Sequence, residues 1–582
     1  MRALCHRSPM ILALVLATLA GCERAPTPPP VIAPAVAPPV RSSGWARFRD
    51  DFLEAYFKAD PAIAVASGRH EFDGQLPDWS RDAIARRIQT LHGERERAMA
   101  FKDATLNDAE RFERDSVVAR IDHKLFWMET AEQPFNNPAY YIDSLDPAAY
   151  LTHAYAPLET RMRAFINYER AIVTAAGQIK GNLRAPLARP LLEHGVSAFK
   201  GFADFYHNNV ASAFASVADA ALQAQFRQAN VAAEAAMRDL CAALVLNRKS
   251  ASAEFALGEE KFTRMLAATE RVATPLAELE KVGAADLARN LASLRVACAT
   301  FLPGKSLQAC VEKAGQHKPE GGPVEGARRQ LAELRDFIEA KGFVSIPGSE
   351  QALVDEAPPY NRDNFAYINI PGPFEKGVGS VYYIAPPNPA WPLKMQHDYL
   401  PGRASLLFSS VHEVWPGHFL QFLHSNRYGA MVNRVFVGYA FAEGWAHYGE
   451  ELMWDEGLGN GDPEIHVGQL TNALLRNVRF MCAIGMHTRG MKLAECERLF
   501  REEAYADAGN ARQQAERGAY DPAYLSYTMG KLMIRKLRDD WTGTRGGRSA
   551  WREFHDRFLS YGGPPIPMVR AAMLGSDAGA LF

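Results

Sequence analysis

The sequence has few cysteines and no CxxC pair, which argues against a zinc site made of thiolates. Seven cysteines occur among the 582 residues. Lysine and arginine (65) nearly balance aspartate and glutamate (67), so no basic excess points to nucleic acid as a partner. After the N-terminal residues, no apolar run is long enough to cross a bilayer. The hydrophobic content of 48% is ample for a large core, so the rest of the chain is predicted to be globular.

The first residues have the layout of a secretory signal. Two arginines precede the apolar run MILALVLATLA, which is too short to span a membrane. The sequence LAGC at Leu19–Cys22 resembles the bacterial lipobox, which implies cleavage before Cys22 and lipidation of that cysteine. We therefore predict a lipoprotein signal peptide over residues 1–21. The alternative is an ordinary signal peptide followed by an unrelated cysteine. Glu23 favours the outer membrane, facing the periplasm, over retention in the inner membrane.

Residues 22–41 are rich in proline and have no pattern that would bury a core. Such a segment is extended and semi-rigid, which suits a tether between a lipid anchor and a folded body. The body is predicted to begin near Ser42.

Five cysteines lie in the predicted body. The cell envelope is oxidising, and Cys298 and Cys310 are near enough in the chain to close a short loop. A disulfide between them and a pair of buried thiols are equally open interpretations.

The body divides by composition into two portions. Residues 42–345 have apolar side chains at helical spacing, as in FRDDFLEAYF and GARRQLAELRDFIEAKGF, which predicts a scaffold of packed helices. Residues 346–582 contain every strong motif and are predicted to form one continuous catalytic unit with this scaffold. The predicted fold class is mainly α with a small β-sheet.

Short strands are predicted between Pro347 and Arg403, where aromatic and β-branched residues are interrupted by glycine and proline. The best candidate is Val378–Pro387, whose final prolines suit an edge strand. An edge strand beside a cleft can pair with an extended peptide, so Tyr383 is a candidate substrate-binding residue. The alternative is a surface hairpin.

The segment SSVHEVWPGHFLQFL nearly contains a zinc signature. In HExxH the histidines lie four residues apart on one helical face, with the Glu as general base. Here His412 and His418 are six residues apart, which places them about 120° out of alignment on a regular helix. Pro416 cannot donate a backbone hydrogen bond, and Gly417 tolerates unusual backbone angles. A π-bulge or a broken turn is therefore predicted to bring both imidazoles to one side.

A catalytic zinc usually has three protein ligands and one open position. The segment FAEGWAHYGEEL, further along the chain, has the pattern of an amphipathic helix with Glu443, His447 and either Glu450 or Glu451 on roughly one face. Glu443 is the predicted third ligand, and Glu450 is a predicted hydrogen-bond acceptor behind a ligating histidine. His447 remains open as a rival ligand.

Three segments carry a family resemblance: HEVWPGHFLQ, EGWAHYGEEL and YLSYTMGKLMIRKLRDD. They resemble the HExxPGHxxQ, EGWAxYxE and SYxxGK pattern of the bacterial domain of unknown function 885 family, whose members are thought to be zincin-like metallopeptidases of the gluzincin type and often lipoproteins. The resemblance covers most of the chain from about Trp45. It implies a zincin-like fold with an extensive helical scaffold. It also implies one Zn²⁺ per chain, bound by His412, His418 and Glu443, with Glu413 as the general base.

Two further segments resemble the family with departures. RFMCAIGMH keeps Arg479 and His487 but has Ala483 where the family often has Asp. DPAYLSY keeps Tyr527 but has Ala523 in place of a Gln. The resemblance makes Tyr527 and His487 candidate donors to the oxyanion of a tetrahedral intermediate, and Arg479 a candidate substrate-binding residue. The departures concern substrate recognition and indicate a separate branch of the family.

The sequence thus predicts a zinc-dependent hydrolase that cleaves peptides in the cell envelope, with Glu413 taking a proton from the attacking water. Its contact with the membrane would be the N-terminal lipid anchor alone, and no nucleic acid partner is expected. One alternative is a zinc amidohydrolase or esterase that uses the same residues on a nonpeptide substrate. A second is an inactive envelope binding lipoprotein, against which the intact set of predicted ligands and base argues.

Overall fold

Helices make up most of the chain, as the apolar spacing predicts. The computed structural model describes residues 44–358, 362, 365–575 and 578–582. The predicted signal peptide, the proline-rich tether and the lipidation site Cys22 lie outside the described residues. Residues 43–582 group into one unit by their contacts.

The first portion consists of helices and short helical turns. In α1, the residues Phe52, Leu53, Tyr56 and Phe57 are buried, so the predicted apolar face is the packed face. The helices are α1 Trp45–Ala59, α2 Pro61–Ala66, α3 Arg81–Ala100, α4 Asp108–Leu125, α5 Gln133–Asn136, α6 Ala139–Ile142, α7 Ala148–Thr152, α8 Leu158–Asn182, α9 Arg189–Asn208, α10 Val210–Ala213, α11 Ala220–Asn247, α12 Glu259–Glu270, α13 Leu276–Phe301, α14 Leu307–Gln316 and α15 Pro323–Lys341. Single 3₁₀ turns lie at His70–Phe72, Asp103–Thr105, Asp143–Leu145 and Arg248–Ser250, with a π turn at Phe126–Thr130.

The second portion begins with three strands and continues as helices. The strands are β1 Leu353–Glu356, β2 Ala366–Asn369 and β3 Val381–Ile384. The helices are α16 Leu393–Tyr399, α17 Arg403–Glu413, α18 His418–Tyr428, α19 Met431–Val435, α20 Tyr439–Asp455, α21 Pro463–Thr488, α22 Leu493–Glu502, α23 Ala508–Tyr520, α24 Ser526–Gly543, α25 Trp551–Ser560 and α26 Ile566–Leu574, with a 3₁₀ turn at Gly547–Ala550.

The three strands form one sheet in the order β1-β3-β2, with β1 parallel and β2 antiparallel to β3. The predicted strand is present, but its prediction as an edge strand is wrong, because β3 is the central strand. Pro386 and Pro387 lie beyond the last ladder residue, Ile384, so they remove no hydrogen-bond donor from the sheet. A peptide therefore cannot add beside β3, since both of its edges are already paired.

Two apolar cores support these elements. One is built from side chains between Trp45 and Leu244 together with Val432 and Phe436, and the other from side chains between Phe126 and Met573. The second core contains the buried faces of α17, α20, α21 and α24. These four helices and α18, whose Phe419, Leu420 and Leu423 belong to the same core, carry the candidate site, so a close-packed interior fixes their relative positions.

Helices α20 and α24 approach each other at two glycines. A Cβ added to Gly444 would lie 2.5 Å from Cα of Gly530, so a larger residue cannot occupy this contact without shifting the helices. Glu443 directly precedes Gly444, and Tyr527 lies about one turn before Gly530. The glycine contact therefore brings the backbones carrying these two predicted functional residues close together.

Two disulfides are present. Cys298 pairs with Cys310, which decides between the two interpretations of that pair. Cys482 pairs with Cys496 and joins α21 to α22, a bond that the sequence analysis did not anticipate. Among the described residues, no helix combines the length and apolar character that a membrane span requires.

Candidate metal centre

The helix that carries the predicted zinc signature is broken, which confirms the predicted distortion. Helix α17 ends at Glu413 and α18 begins at His418. The Trp415–Pro416 peptide bond between them is cis, and the carbonyl of Pro416 accepts a hydrogen bond from Trp445 Nε1 at 2.7 Å. A Cβ on Gly417 would lie 1.7 Å from the carbonyl oxygen of His412. Only glycine can therefore occupy this position in the observed backbone.

The break brings the two histidines together with a carboxylate from α20. Oε2 of Glu443 lies 3.2 Å from Nε2 of His412 and 3.4 Å from Nε2 of His418. One potential ligand atom from each of these three residues lies within 4.8 Å of the others. His412 is buried, and the other two are partly buried. Within the described part of the chain, this is the group of histidine and acidic side chains suited to a metal ion.

The spacing of these atoms fits a zinc ion. Ligand atoms at about 2.1 Å from a tetrahedral zinc are separated from one another by about 3.4 Å. The two nitrogen-to-carboxylate distances are close to that separation. Two imidazoles and one carboxylate also form a donor set found in catalytic zinc sites, which leaves a fourth position for water or substrate. The residues present therefore fit the predicted metal.

Glu450 determines which nitrogen of His412 faces the group. Its Oε1 lies 2.7 Å from Nδ1 of His412 and forms a salt bridge with Arg476 Nη2 at 3.0 Å. An ionised carboxylate only accepts hydrogen bonds, so Nδ1 carries the proton and Nε2 is left with its lone pair for a metal. Glu450 is fully buried, yet Arg476 and His412 hold its pKa well below the ordinary value for a glutamate. It therefore stays ionised.

The site attracts positive charge. Burial by itself would lower the pKa of His412, but hydrogen bonds to Glu443 and Glu450 raise it to about 9. The pKa of Glu443 is held well below its ordinary range by His418 and His412, although burial opposes this. A proton and a metal cation compete for the same imidazole nitrogen. The carboxylates that favour the proton on His412 therefore also favour a bound cation.

Glu413 lies at the end of α17 and is hydrogen-bonded to the sheet. It is next to His412, His418 and Glu443, which together are called the ligand group below. Its Oε2 accepts a hydrogen bond from the backbone N–H of Ile368 in β2 at 3.1 Å. Burial raises the pKa of Glu413, which His412 and His418 partly offset. A carboxylate with a raised pKa is better matched to proton transfer near neutral pH. The sheet therefore positions the predicted base through a main-chain donor.

Tyr527 packs beside the ligand group. Its ring is nearly parallel to that of His412, with centroids 6.2 Å apart. Its hydroxyl accepts a hydrogen bond from Arg517 Nη2 at 3.4 Å, and its side chain is almost fully buried. A guanidinium that donates to a phenol oxygen leaves the phenol proton free to be donated elsewhere. This arrangement suits the predicted donor to an oxyanion.

Two other predicted residues differ in their surroundings. Arg479 donates through Nε to Gln514 Oε1 at 2.7 Å, and its guanidinium carbon lies 4.7 Å from the centre of the Tyr527 ring. His487 is buried with both ring nitrogens engaged: Nε2 with the Gly518 carbonyl at 2.7 Å and Nδ1 with the Leu257 N–H at 3.3 Å. The structure thus brings Arg479 to Tyr527, whereas His487 is held by backbone groups and has no ring nitrogen to offer a substrate.

His447 and Tyr383 lie outside the ligand group. His447 is fully buried one turn along α20 from Glu443, and its Nδ1 is 3.8 Å from Glu450 Oε2. It is not among the three residues whose ligand atoms converge. Tyr383 packs with Tyr367 of β2 in a small apolar cluster separate from the main cores.

Arg476 and Arg517 were missed by the sequence analysis. Arg476 lies three residues before Arg479 on α21, so the two side chains share one helical face. This spacing could have identified Arg476 as a second residue of the site. Arg517 is on α23, in a segment that no motif marked. Its role depends on packing between helices distant in sequence.

The chain belongs to the family of bacterial proteins of unknown function known as domain of unknown function 885, whose model matches residues 61–573. The family membership implied by the three motifs is therefore confirmed. None of the curated proteins matches the chain.

Two solved structures share the fold. A protein from Shewanella oneidensis, described as a "putative lipoprotein of unknown function", is 22% identical, with a TM-score of 0.75, over 91% of this chain and 99% of that one. A "putative lipoprotein" from Colwellia psychrerythraea is 17% identical, with a TM-score of 0.76, over 91% of this chain and 98% of that one. At these identities the likeness shows the fold alone. Both descriptions are consistent with the lipid anchor predicted for this chain.

Proposed function

We propose that this protein is a zinc-dependent hydrolase that cleaves peptides in the bacterial cell envelope. The observation that carries the proposal is the convergence of His412, His418 and Glu443 beside Glu413. The two distances from Glu443 Oε2 to the histidine Nε2 atoms, 3.2 Å and 3.4 Å, are close to the ligand separations of a tetrahedral zinc site. The resemblance to the domain of unknown function 885 family, whose members are thought to be zincin-like metallopeptidases, implies the same three ligands and the same base.

His412, His418 and Glu443 would hold the metal. When bound, zinc would supply a Lewis acid that polarises the scissile carbonyl and lowers the pKa of water toward ~7. Glu413 accepts the proton of the attacking water and passes it to the leaving amine. The N–H of Ile368 holds Glu413 in place, 3.1 Å from its carboxylate. Glu450 keeps His412 in the tautomer that presents Nε2.

Tyr527 would stabilise the negative charge that develops on the substrate carbonyl oxygen. Arg517 donates to the phenol oxygen, which leaves the phenol proton available for the substrate. The phenol also packs against His412, so it lies next to the ligand group. His487 has no part in this mechanism, because both of its ring nitrogens are bonded to backbone groups.

The envelope location rests on the predicted signal peptide and lipobox at Cys22. Two disulfides, Cys298–Cys310 and Cys482–Cys496, are of the kind that persists in oxidising compartments. The descriptions of both structural relatives as lipoproteins agree with this location. A zinc amidohydrolase or esterase acting on a nonpeptide substrate would use the same residues, so substrate screening separates the two activities.

The test is metal content and hydrolysis by a soluble form that starts near Ser42. We expect about one zinc per chain and hydrolysis that stops when a chelator is added. His418→Ala and Glu443→Ala should lose the metal without unfolding, while Glu413→Gln should keep the metal and lose activity. Absence of metal after purification with zinc would contradict the proposal.

A further inference from the structure

Three arginines surround Tyr527, and one of them has no acidic partner among the described residues. Three guanidinium carbons lie near the Tyr527 ring centre: Arg479 at 4.7 Å, Arg476 at 5.7 Å and Arg517 at 5.8 Å. Arg476 forms a salt bridge with Glu450, and Arg517 forms one with Asp521 at 3.2 Å. Arg479 has no salt bridge with any described residue. It is nevertheless 8% exposed, which is more than nine-tenths buried.

A buried guanidinium without a partner anion is costly, so its presence calls for an explanation. Its contacts are the Gln514 amide oxygen at Nε and the face of Tyr527. Its two terminal amino groups make no hydrogen bond with the described residues. These groups form the planar fork that binds a carboxylate through two parallel hydrogen bonds.

A cavity that a peptide could occupy lies beside Gln514, the residue that accepts a hydrogen bond from Arg479 Nε. A cavity of about 680 Å³ is lined by residues that include Ser409, Asn472 and Gln514. Ser409 is one turn before Glu413 on α17, Asn472 is one turn before Arg476 on α21, and Gln514 holds Arg479. The cavity is therefore lined by the hydrogen-bond partner of Arg479 and by residues of α17 and α21, the helices that carry His412 and Arg479.

We infer that Arg479 binds the free terminal carboxylate of the substrate and makes the protein an exopeptidase that acts at the C-terminal end of peptides. This inference rests on the proposed function, because it names the substrate end that the same site would accept. In the reaction, the C–N bond of the peptide breaks, the hydroxyl of water joins the carbonyl carbon, and its proton goes to the released amine. A neutral amide or an internal peptide segment lacks the charge that Arg479 would pair with.

The test measures binding apart from turnover. The zinc-loaded Glu413→Gln variant is titrated calorimetrically with N-acetylated tripeptides ending in Ala, Leu or Phe, each as the free acid and as the C-terminal amide. At least one acid should bind about tenfold more tightly than its amide. In the double variant with Arg479→Ala, the ratio of acid affinity to amide affinity should fall to about one. With Arg479→Lys instead, the ratio should be intermediate. Arg512→Ala is the matched control, because Arg512 lies on α23 with an exposed side chain paired to Glu516.

If the Glu413→Gln variant binds acids and amides equally, or binds no acid, the inference is overturned. This result does not depend on whether the Arg479 variants fold. An acid preference that survives in a folded Arg479→Ala variant would overturn it as well. Turnover by the zinc-loaded wild type tests the parent proposal separately. Hydrolysis of acids and amides at equal rates would leave a hydrolase without the carboxylate subsite. An acid preference in binding, with no hydrolysis of any peptide by the zinc-loaded wild type, would leave the subsite standing while the proposed function fails.

Discussion

Nδ1 of His412 and Oε1 of Glu450 lie 2.7 Å apart inside the protein, and this contact fixes the tautomer of a predicted metal ligand. The two residues are on different helices, α17 and α20. Arg476, from a third helix, bonds to the same carboxylate oxygen. The orientation of the candidate site therefore depends on three helices packed in one core.

Removing the charge of Glu450 should weaken metal binding. In Glu450→Gln the amide keeps the shape of the side chain but loses the negative charge that orients His412, so zinc affinity should fall about 10- to 100-fold. Competition with a chelating dye measures this. Glu451→Gln is the control, because Glu451 bonds to Lys531 and Arg289 instead of a ligand. It should lower stability and leave zinc affinity within about twofold; an equal affinity loss in both variants would contradict the assigned role.

Gly417→Ala should abolish the metal site. The added Cβ would overlap the carbonyl of His412, so the chain must move the two histidines apart. We expect zinc affinity to fall at least about tenfold, measured by equilibrium dialysis. Gly177→Ala is the control, since Gly177 is inside α8 with nothing within 4 Å of the added carbon. It should raise stability by about 0.5–1 kcal/mol and leave metal binding unchanged. Full zinc content in Gly417→Ala would refute the prediction.

Tyr527→Phe should slow the chemical step. Loss of the phenol proton removes a donor to the developing oxyanion but keeps the ring on His412, so kcat should fall at least about tenfold with little change in KM. Steady-state kinetics on a cleaved peptide measure both constants. His487→Gln serves as the comparison: its bonds are structural, so its effect should be on thermal stability. An unchanged kcat in Tyr527→Phe would remove Tyr527 from the mechanism.

Glu169 should make the stability of the first portion depend on pH. It is fully buried, neither carboxylate oxygen has a hydrogen-bond partner among the described residues, and burial raises its pKa to about 9. Between its ordinary pKa of 4.5 and about 9, the folded state keeps the proton while the unfolded state releases it. The free energy of unfolding therefore falls as pH rises through this window, by up to about 1.4 kcal/mol per pH unit.

Glu169→Gln removes this dependence. The variant should match the wild type near pH 4.5 and be more stable at pH 8, by a margin that grows across the window. Urea unfolding of both proteins at several pH values measures the difference. A stability difference that is the same at pH 4.5 and pH 8 would show that Glu169 is not the titrating group.

Much of the site could be predicted because its residues are close in sequence. His412, Glu413, His418 and Glu443 lie within two motifs, and the PG insertion indicated the break between α17 and α18. The edge position expected for β3 was wrong because strand order depends on which segments pair, and two prolines after the strand do not decide that. The Cys482–Cys496 disulfide and the role of Arg517 were equally hidden, since each depends on contacts between separate helices.

By itself, the sequence determined the helical character of the chain, its family and the residue types that could bind a metal. Apolar periodicity and short motifs are local, and local patterns act through backbone geometry within a few residues. The tertiary structure alone decided that β3 is central, that Arg476 joins Glu450 at His412, and that Arg479 is buried with no balancing charge among the described residues. Those features arise from the packing of elements far apart in the chain, where burial and the sum of nearby charges are set by all neighbours together.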